Sequence, residues 1–119
     1  MKTILVVEDD VDIRETVVSA LSEEGYQVES AANGRLGLEK LETIAEPCLV
    51  LLDFMMPEMN GAEVLRELRE GHRVAALPVV VVSAYALTDA QAEGARRSVR
   101  KPISLDLLLH VVREFCGSP

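Results

Sequence analysis

Leu49-Val50-Leu51-Leu52-Asp53-Phe54-Met55-Met56-Pro57 is a run of large aliphatic side chains that ends on one carboxylate, with a proline four residues later. Continuous aliphatic runs mark strands buried on both faces, and such strands belong to parallel sheets covered by helices. Nothing within the run can pair with the Asp53 charge, and an unpaired carboxylate is expensive to bury. Asp53 therefore has to emerge where the strand leaves the core. In open α/β sheets that edge, at the carboxyl ends of the strands, is where ligands bind. The rest of the chain can be read by what it brings to Asp53.

Upstream, Thr3–Val7 is a β-branched aliphatic run and is expected to be a buried strand, ending on Glu8-Asp9-Asp10. Val11 to Glu24 places Val11, Ile13, Val17, Val18 and Leu21 at helical spacing, with acids at its start and Gly25 as its stop. Tyr26 to Ala31 alternates apolar and polar residues, as a half-exposed strand near a sheet edge does. Asn33-Gly34 signals a turn before a second helix, Arg35 to Leu41, which Gly37 weakens. Cys48–Leu52 is the strand that ends at Asp53, Pro57 to Gly61 a loop, and Ala62 to Glu70 a third helix. Val79–Val82 is a second strand buried on both faces, ending at Ser83-Ala84. Thr88 to Glu93 is expected as a short helix with Thr88 as cap and Gly94 as stop. Ser98–Arg100 is a last short strand, closed by Lys101-Pro102, and Ser104 caps a final helix through Phe115. Strand and helix thus alternate five times, which implies a parallel sheet with helices on both faces, joined by right-handed crossovers.

The chain has 119 residues, of which 49% are hydrophobic, enough for one folded domain spanning residues 1–119. A net charge of −8 argues against nonspecific nucleic-acid binding. Only Ile4–Val7 precedes Glu8, too little for a signal peptide. The longest apolar stretch, Val74 to Leu87, is interrupted by Pro78 and Ser83 and is too short to span a bilayer. The expected location is cytoplasmic. Cys48 and Cys116 form no disulfide framework and no metal-type spacing, so both are expected as buried reduced thiols. His72 and His110 carry no motif and are assigned to structure.

A parallel sheet brings all strand carboxyl ends to one edge. That edge collects Glu8 and Asp9 after the first strand, Asp53 after the third, Ser83 after the fourth and Lys101 after the fifth. Carboxylates held this close repel unless cations offset them. One ammonium and one divalent cation balance the three acids. Carboxylate oxygens without a neighbouring His or Cys suit Mg²⁺. Asp10 and Asp12 are left as acids of a helix N-terminus.

Val7-Glu8-Asp9, Asp53-Phe54-Met55-Met56-Pro57 with Gly61, Ser83-Ala84 and Lys101-Pro102 together resemble the receiver domain of two-component response regulators, over the whole chain. The resemblance implies a flavodoxin-like (βα)5 three-layer sandwich with strand order 2-1-3-4-5. It implies that Asp53 accepts a phosphoryl group from a histidine kinase or phosphotransfer protein. Glu8, Asp9, Asp53 and the main-chain carbonyl of Met55 would hold Mg²⁺, and Lys101-Pro102 matches a site where the family commonly has a cis peptide. Ser83 and Lys101 would bind the new phosphate oxygens, a requirement that phosphoryl-transfer chemistry imposes independently. The chain would assist its own phosphorylation and dephosphorylation without acting as an enzyme on a separate metabolite. A downstream output protein or domain, or a second copy of the chain, would meet the face of the Thr88–Glu93 helix, the fifth strand and the last helix. Neither nucleic acid nor membrane is an expected direct partner.

The chain departs from the family in one respect. An aromatic usually stands three positions before the lysine and swings inward as the hydroxyl moves; here Ser98 stands there. Tyr85 is the nearby aromatic in sequence and is expected to share the switch role with Ser83. Met55 and Tyr85, two residues beyond Asp53 and Ser83, are bulky where the family controls access of hydrolytic water, which predicts a long phosphoryl lifetime. The missing aromatic supports an alternative, a pseudo-receiver acting as a phosphorylation-independent interaction module. A phosphatase of the haloacid-dehalogenase type would need an acid where Met55 stands, and a flavin site would need a phosphate-binding loop after the first strand. The basic run Arg96-Arg97-Ser98-Val99-Arg100-Lys101 reads as a solvated sheet edge or a docking surface for an acidic partner. The last helix carries Leu105, Leu107, Leu108, Leu109, Val111, Val112 and Phe115, a stripe wider than one core contact needs.

Overall fold

In the computed structural model, which describes residues 2–73 and 76–119, the apolar runs become β1 (Thr3–Val7), β2 (Gln27–Ala31), β3 (Pro47–Asp53), β4 (Val79–Ser83) and β5 (Arg97–Arg100). Between and after them lie α1 (Val11–Glu23), α2 (Gly34–Leu41), α3 (Gly61–Glu70) and α4 (Leu105–Cys116). All strand pairs are parallel, in the order β2-β1-β3-β4-β5. Val74 and Ala75, which open the long apolar stretch, lie outside the described residues. Among the described residues no helix is long and apolar enough to cross a membrane.

Strand side chains alternate between two faces, and in the central strands both faces are buried. Ile4, Val6, Leu49, Leu51 and Val80 join Leu21 of α1 and Leu108, Val111 and Val112 of α4 in one core. Leu5, Val7, Val50, Leu52, Val79 and Val81 join Leu41 of α2 and Val64, Leu65 and Leu68 of α3 in the other. That arrangement is why these strands read as unbroken aliphatic runs. The edge strand β2 is buried only at Ala31. In α2, a Cβ at Gly37 would stand 2.9 Å from a methyl of Val7, so the residue that weakens the helix lets it lie close on β1.

Helix starts follow side-chain chemistry. Asp10 accepts from the Ile13 N–H at 3.1 Å, Asn33 from Leu36 at 2.9 Å and Ser104 from Leu107 at 3.1 Å. Asn60 and Glu63 form a reciprocal capping box at α3.

Two expectations are corrected. Thr88–Glu93 is a series of turns and not an α-helix, so four helices are present among the described residues. Thr88 and Gln91 exchange backbone–side-chain hydrogen bonds of 2.9 and 3.2 Å, as in a capping box. The Ala92 N–H reaches back four residues to Thr88, yet those of Glu93 and Ala95 reach back only three. A helix nucleus is unfavourable until further turns follow. Here Gly94, at φ +96°, ends the segment first, and Asp89-Ala90-Gln91-Ala92-Glu93 has no large apolar side chain to bury.

The second correction concerns the cysteines. Cys48 and Cys116 are not two reduced thiols but a disulfide joining positions 68 residues apart. A separation of that size carries no pairing signal in sequence. The parallel sheet creates the contact by setting the amino end of β3 against the carboxyl end of α4.

Candidate active site at the carboxyl edge of the sheet

β1 runs out of the core at Glu8, whose side chain is buried although Asp9 and Asp10 beside it are exposed. The backbone of Glu8 is held on both sides: its N–H donates to the Ala31 carbonyl at 3.1 Å, and its carbonyl accepts from the Arg14 guanidinium at 2.8 Å. Its carboxylate is shared between the Asp10 N–H at 3.2 Å and the Lys101 ammonium at 3.1 Å.

β3 ends on Asp53, which is only 5% exposed. Lys101 Nζ lies 3.2 Å from Asp53 Oδ1, and the Met55 N–H points at the same oxygen from 3.4 Å. The loop after β3 turns tightly because the Gly61 N–H donates to the Phe54 carbonyl at 2.9 Å. A Cβ on Gly61 would stand 2.8 Å from Phe54 Cα and 2.9 Å from the Asp53 carbonyl, so glycine is needed at this approach.

β4 ends on Ser83, which is buried. The β3–β4 register pairs Asp53 with Val82, placing Ser83 one residue further along the neighbouring strand. The Ser83 hydroxyl accepts from the Tyr85 N–H at 3.2 Å, and its carbonyl accepts from the Lys101 N–H at 2.7 Å. That backbone bond carries β5 into the site, where the Lys101–Pro102 peptide is cis. One ammonium thus bridges Glu8 and Asp53 across three strand ends.

Two facing carboxyls with one ammonium leave Asp53 under-compensated. Burial pushes its pKa up to about 7, and the hydrogen bond and negative charge of Glu8 push the same way, against the pull of Lys101. For Lys101, burial alone would lower the pKa. Its hydrogen bond to Glu8 and the charges of Asp53 and Glu8 outweigh this and raise it. Glu8, Asp9 and Asp53 each offer a carboxylate oxygen, and these atoms lie within 4.8 Å of one another. Hard oxygen donors around an acid still short of positive charge fit a divalent cation such as Mg²⁺.

The three remaining predicted positions are peripheral. The Met55 and Tyr85 side chains are exposed at the loops beyond Asp53 and Ser83, and Ser98 is exposed on β5 while its neighbour Val99 packs in the core. Two features gave no sequence signal. One is the Arg14 clamp on the Glu8 backbone. The other is an apolar cavity of about 550 Å³ opening beneath Glu8, Asp53 and Lys101, between Ile13 and Val17 of α1 and Ile103 and Leu108. Its lining comes from β-strand ends, α1 and α4, segments far apart in sequence, so it exists only in the folded chain.

Comparison with known proteins places this arrangement. The model of the response regulator receiver domain matches residues 4–113. Response regulator RR06 of Streptococcus pneumoniae is 39% identical over 114 residues, which cover 92% of this chain and 51% of that protein. The crystal structure of response regulator TrrA from Thermotoga maritima in complex with Mg²⁺-BeF superposes with a TM-score of 0.85 at 34% identity, covering 97% of this chain and 99% of that one. Chemotaxis protein CheY4 of Vibrio cholerae gives 0.87 at 27% identity, covering 97% and 98%. Three curated relatives are matched over only 35%, 51% and 35% of their own length.

Proposed function

This chain belongs to the response regulator receiver domain family, and from that premise we propose that it is a phosphoacceptor in a two-component phosphorelay, with Asp53 as the phosphorylated residue. The observation that carries the reading is the position of Asp53: buried, at a strand end, 3.2 Å from an ammonium and within a cluster of three carboxylates. The donor is a phosphohistidine on a histidine kinase or phosphotransfer protein. An Asp53 carboxylate oxygen attacks phosphorus, the P–N bond breaks, and the phosphoryl group stays on Asp53 as an acyl phosphate. Attack requires the ionised carboxyl, which Lys101 favours and Glu8 opposes.

Glu8, Asp9, Asp53 and the Met55 carbonyl would hold Mg²⁺, which when bound supplies neutralising charge to the phosphoryl oxygens. The Mg²⁺-BeF complex of TrrA, 34% identical, supports this choice of ion. Lys101 is placed to bind one phosphoryl oxygen. The Ser83 hydroxyl accepts from Tyr85 but keeps its own proton to donate to another. Turning toward the phosphoryl group would strain or break the Ser83–Tyr85 bond, biasing residues 84–87 and the face of Thr88–Glu93, β5 and α4 between two arrangements. That face would bind an output domain, a separate output protein or a second copy of the chain. The domain assists its own phosphorylation and dephosphorylation only, works in the cytoplasm, and contacts neither nucleic acid nor membrane directly.

Incubation with a small phosphodonor and Mg²⁺, followed by intact-mass measurement, tests the assignment. One added phosphoryl group is expected for this chain and none for Asp53→Asn; no gain, or an equal gain in both, overturns it. The exposed Ser98 favours a second reading, a phosphorylation-independent interaction module. Equal partner binding by the phosphorylated chain and by Asp53→Asn would select that reading.

A further inference from the structure

Cys48 and Cys116 are the only cysteines in the chain, and they meet across 68 residues. Their bond joins the second residue of β3 to the last residue of α4. Asp53 lies at the other end of β3, about 16 Å away at the usual rise of a strand. Further ties hold the end of α4, among them an ion pair between Arg97 of β5 and Glu114. The Tyr26 hydroxyl donates to the Gly117 carbonyl at 2.6 Å, and Arg113 approaches Glu24 at 3.5 Å. The other end of α4 follows Lys101 after three residues, so the helix spans from the phosphoacceptor edge to the disulfide.

Both sulfurs sit in the apolar cluster with Tyr26, Leu49 and Val112. Thiols pack there as well as a disulfide does, since neutral Cys behaves as a small hydrophobe, so neither redox form buries a charge. Cys48 and Cys116 are 8% and 6% exposed, and both lie beside a helix end, where opening is least demanding. Disulfides in a reducing cytoplasm are rare, and those found there are mostly transient or redox-sensing.

We propose that Cys48–Cys116 is a reversible thiol–disulfide site, whose oxidised form locks the carboxyl end of α4 to the sheet and gives this receiver a redox input separate from Asp53. The oxidant class is a low-molecular-weight disulfide. One cysteine thiolate attacks it, releasing one small thiol and leaving a mixed disulfide. The second thiolate then attacks the protein sulfur of that bond, releasing the second small thiol. Two protein thiols lose two electrons and two protons, and one small disulfide becomes two thiols. Reduction runs the same steps backward.

The test needs neither phosphorylation nor Mg²⁺, so its failure is distinct from failure of the phosphoacceptor assignment. The full chain is equilibrated with mixtures of reduced and oxidised glutathione, starting from each redox form, then quenched with a maleimide-polymer and resolved by size. The expected result is one titration, the same from both directions, that converts reduced monomer to internally bridged monomer. Amide hydrogen exchange over residues 112–117 is expected to be about tenfold slower in the bridged form. Cys116→Ser is expected to trap the mixed disulfide on Cys48; if that variant fails to fold, the titration of the unaltered chain still decides. A chain that stays bridged, or stays reduced, in every mixture overturns the proposal, and so do equal exchange rates in the two forms.

Discussion

Asp53 concentrates the electrostatic tension of the molecule. A carboxyl whose pKa is higher folded than unfolded binds its proton more tightly in the folded state, so its contribution is largest at low pH and is lost as pH rises. With Asp53 raised from 3.8 to about 7, stability of the metal-free chain should fall between about pH 4 and pH 7. Asp53→Asn should flatten that window and stabilise the metal-free protein at pH 8 by at least the ~1.4 kcal/mol that one pKa unit carries. Urea denaturation with a chelator across this range measures both. Lys101→Ala should do the reverse, destabilising the metal-free chain by roughly 2 kcal/mol, because it leaves Glu8 and Asp53 facing each other without a cation. Millimolar Mg²⁺ should restore part of that loss in the same assay. The exposed Met55 and Tyr85 side chains lie two residues beyond Asp53 and Ser83. Met55→Asn with Tyr85→Ser should shorten the phosphoryl lifetime several-fold, followed as mass loss after the donor is removed.

The elements that position these residues depend on a few local contacts. Gly61→Ala would drive a methyl into the Asp53–Phe54 backbone, and a loss of about 2 kcal/mol is expected. Because that backbone carries Asp53, the proposed phosphoacceptor, slower phosphorylation should accompany the loss of thermal stability. Asp10→Ala removes the α1 cap and should lose about 1 kcal/mol, with little effect on phosphorylation because Asp10 holds the site only through its N–H. The Ser104 cap and the stops at Gly25 and Gly94 were legible because one residue at one position does the work. Thr88-Asp89-Ala90-Gln91 shows where that reasoning fails. The Thr88 cap forms as expected, but a cap stabilises a helix that packing must justify, and Asp89–Glu93 has no large apolar side chain to pack.

The whole molecule is held together by two apolar layers and one covalent bond between distant positions. Closing a 68-residue loop restricts the unfolded chain by about 4 kcal/mol on the loop-entropy estimate. Reduction should therefore lower the denaturation midpoint markedly, and Cys48→Ala with Cys116→Ala should match the reduced protein and no longer respond to reductant. Mg²⁺ should act additively with the disulfide, since the two lie at opposite ends of β3.

The alternation of strand and helix outside Thr88–Glu93, the burial of both sheet faces and the convergence of Glu8, Asp53, Ser83 and Lys101 could be read along the chain. Each follows from local periodicity plus the rule that parallel strands share one carboxyl edge. Contacts between residues far apart could not. The Cys48–Cys116 bond, the Arg14 hold on Glu8 and the cavity beneath the site all depend on which helix faces come to rest against each other. That outcome is set by packing summed over two cores, and no single stretch encodes it. The one ammonium shared by Glu8 and Asp53 belongs to both levels. Lys101 is recognisable by its motif, but its reach to two carboxylates exists only because β1, β3 and β5 end together.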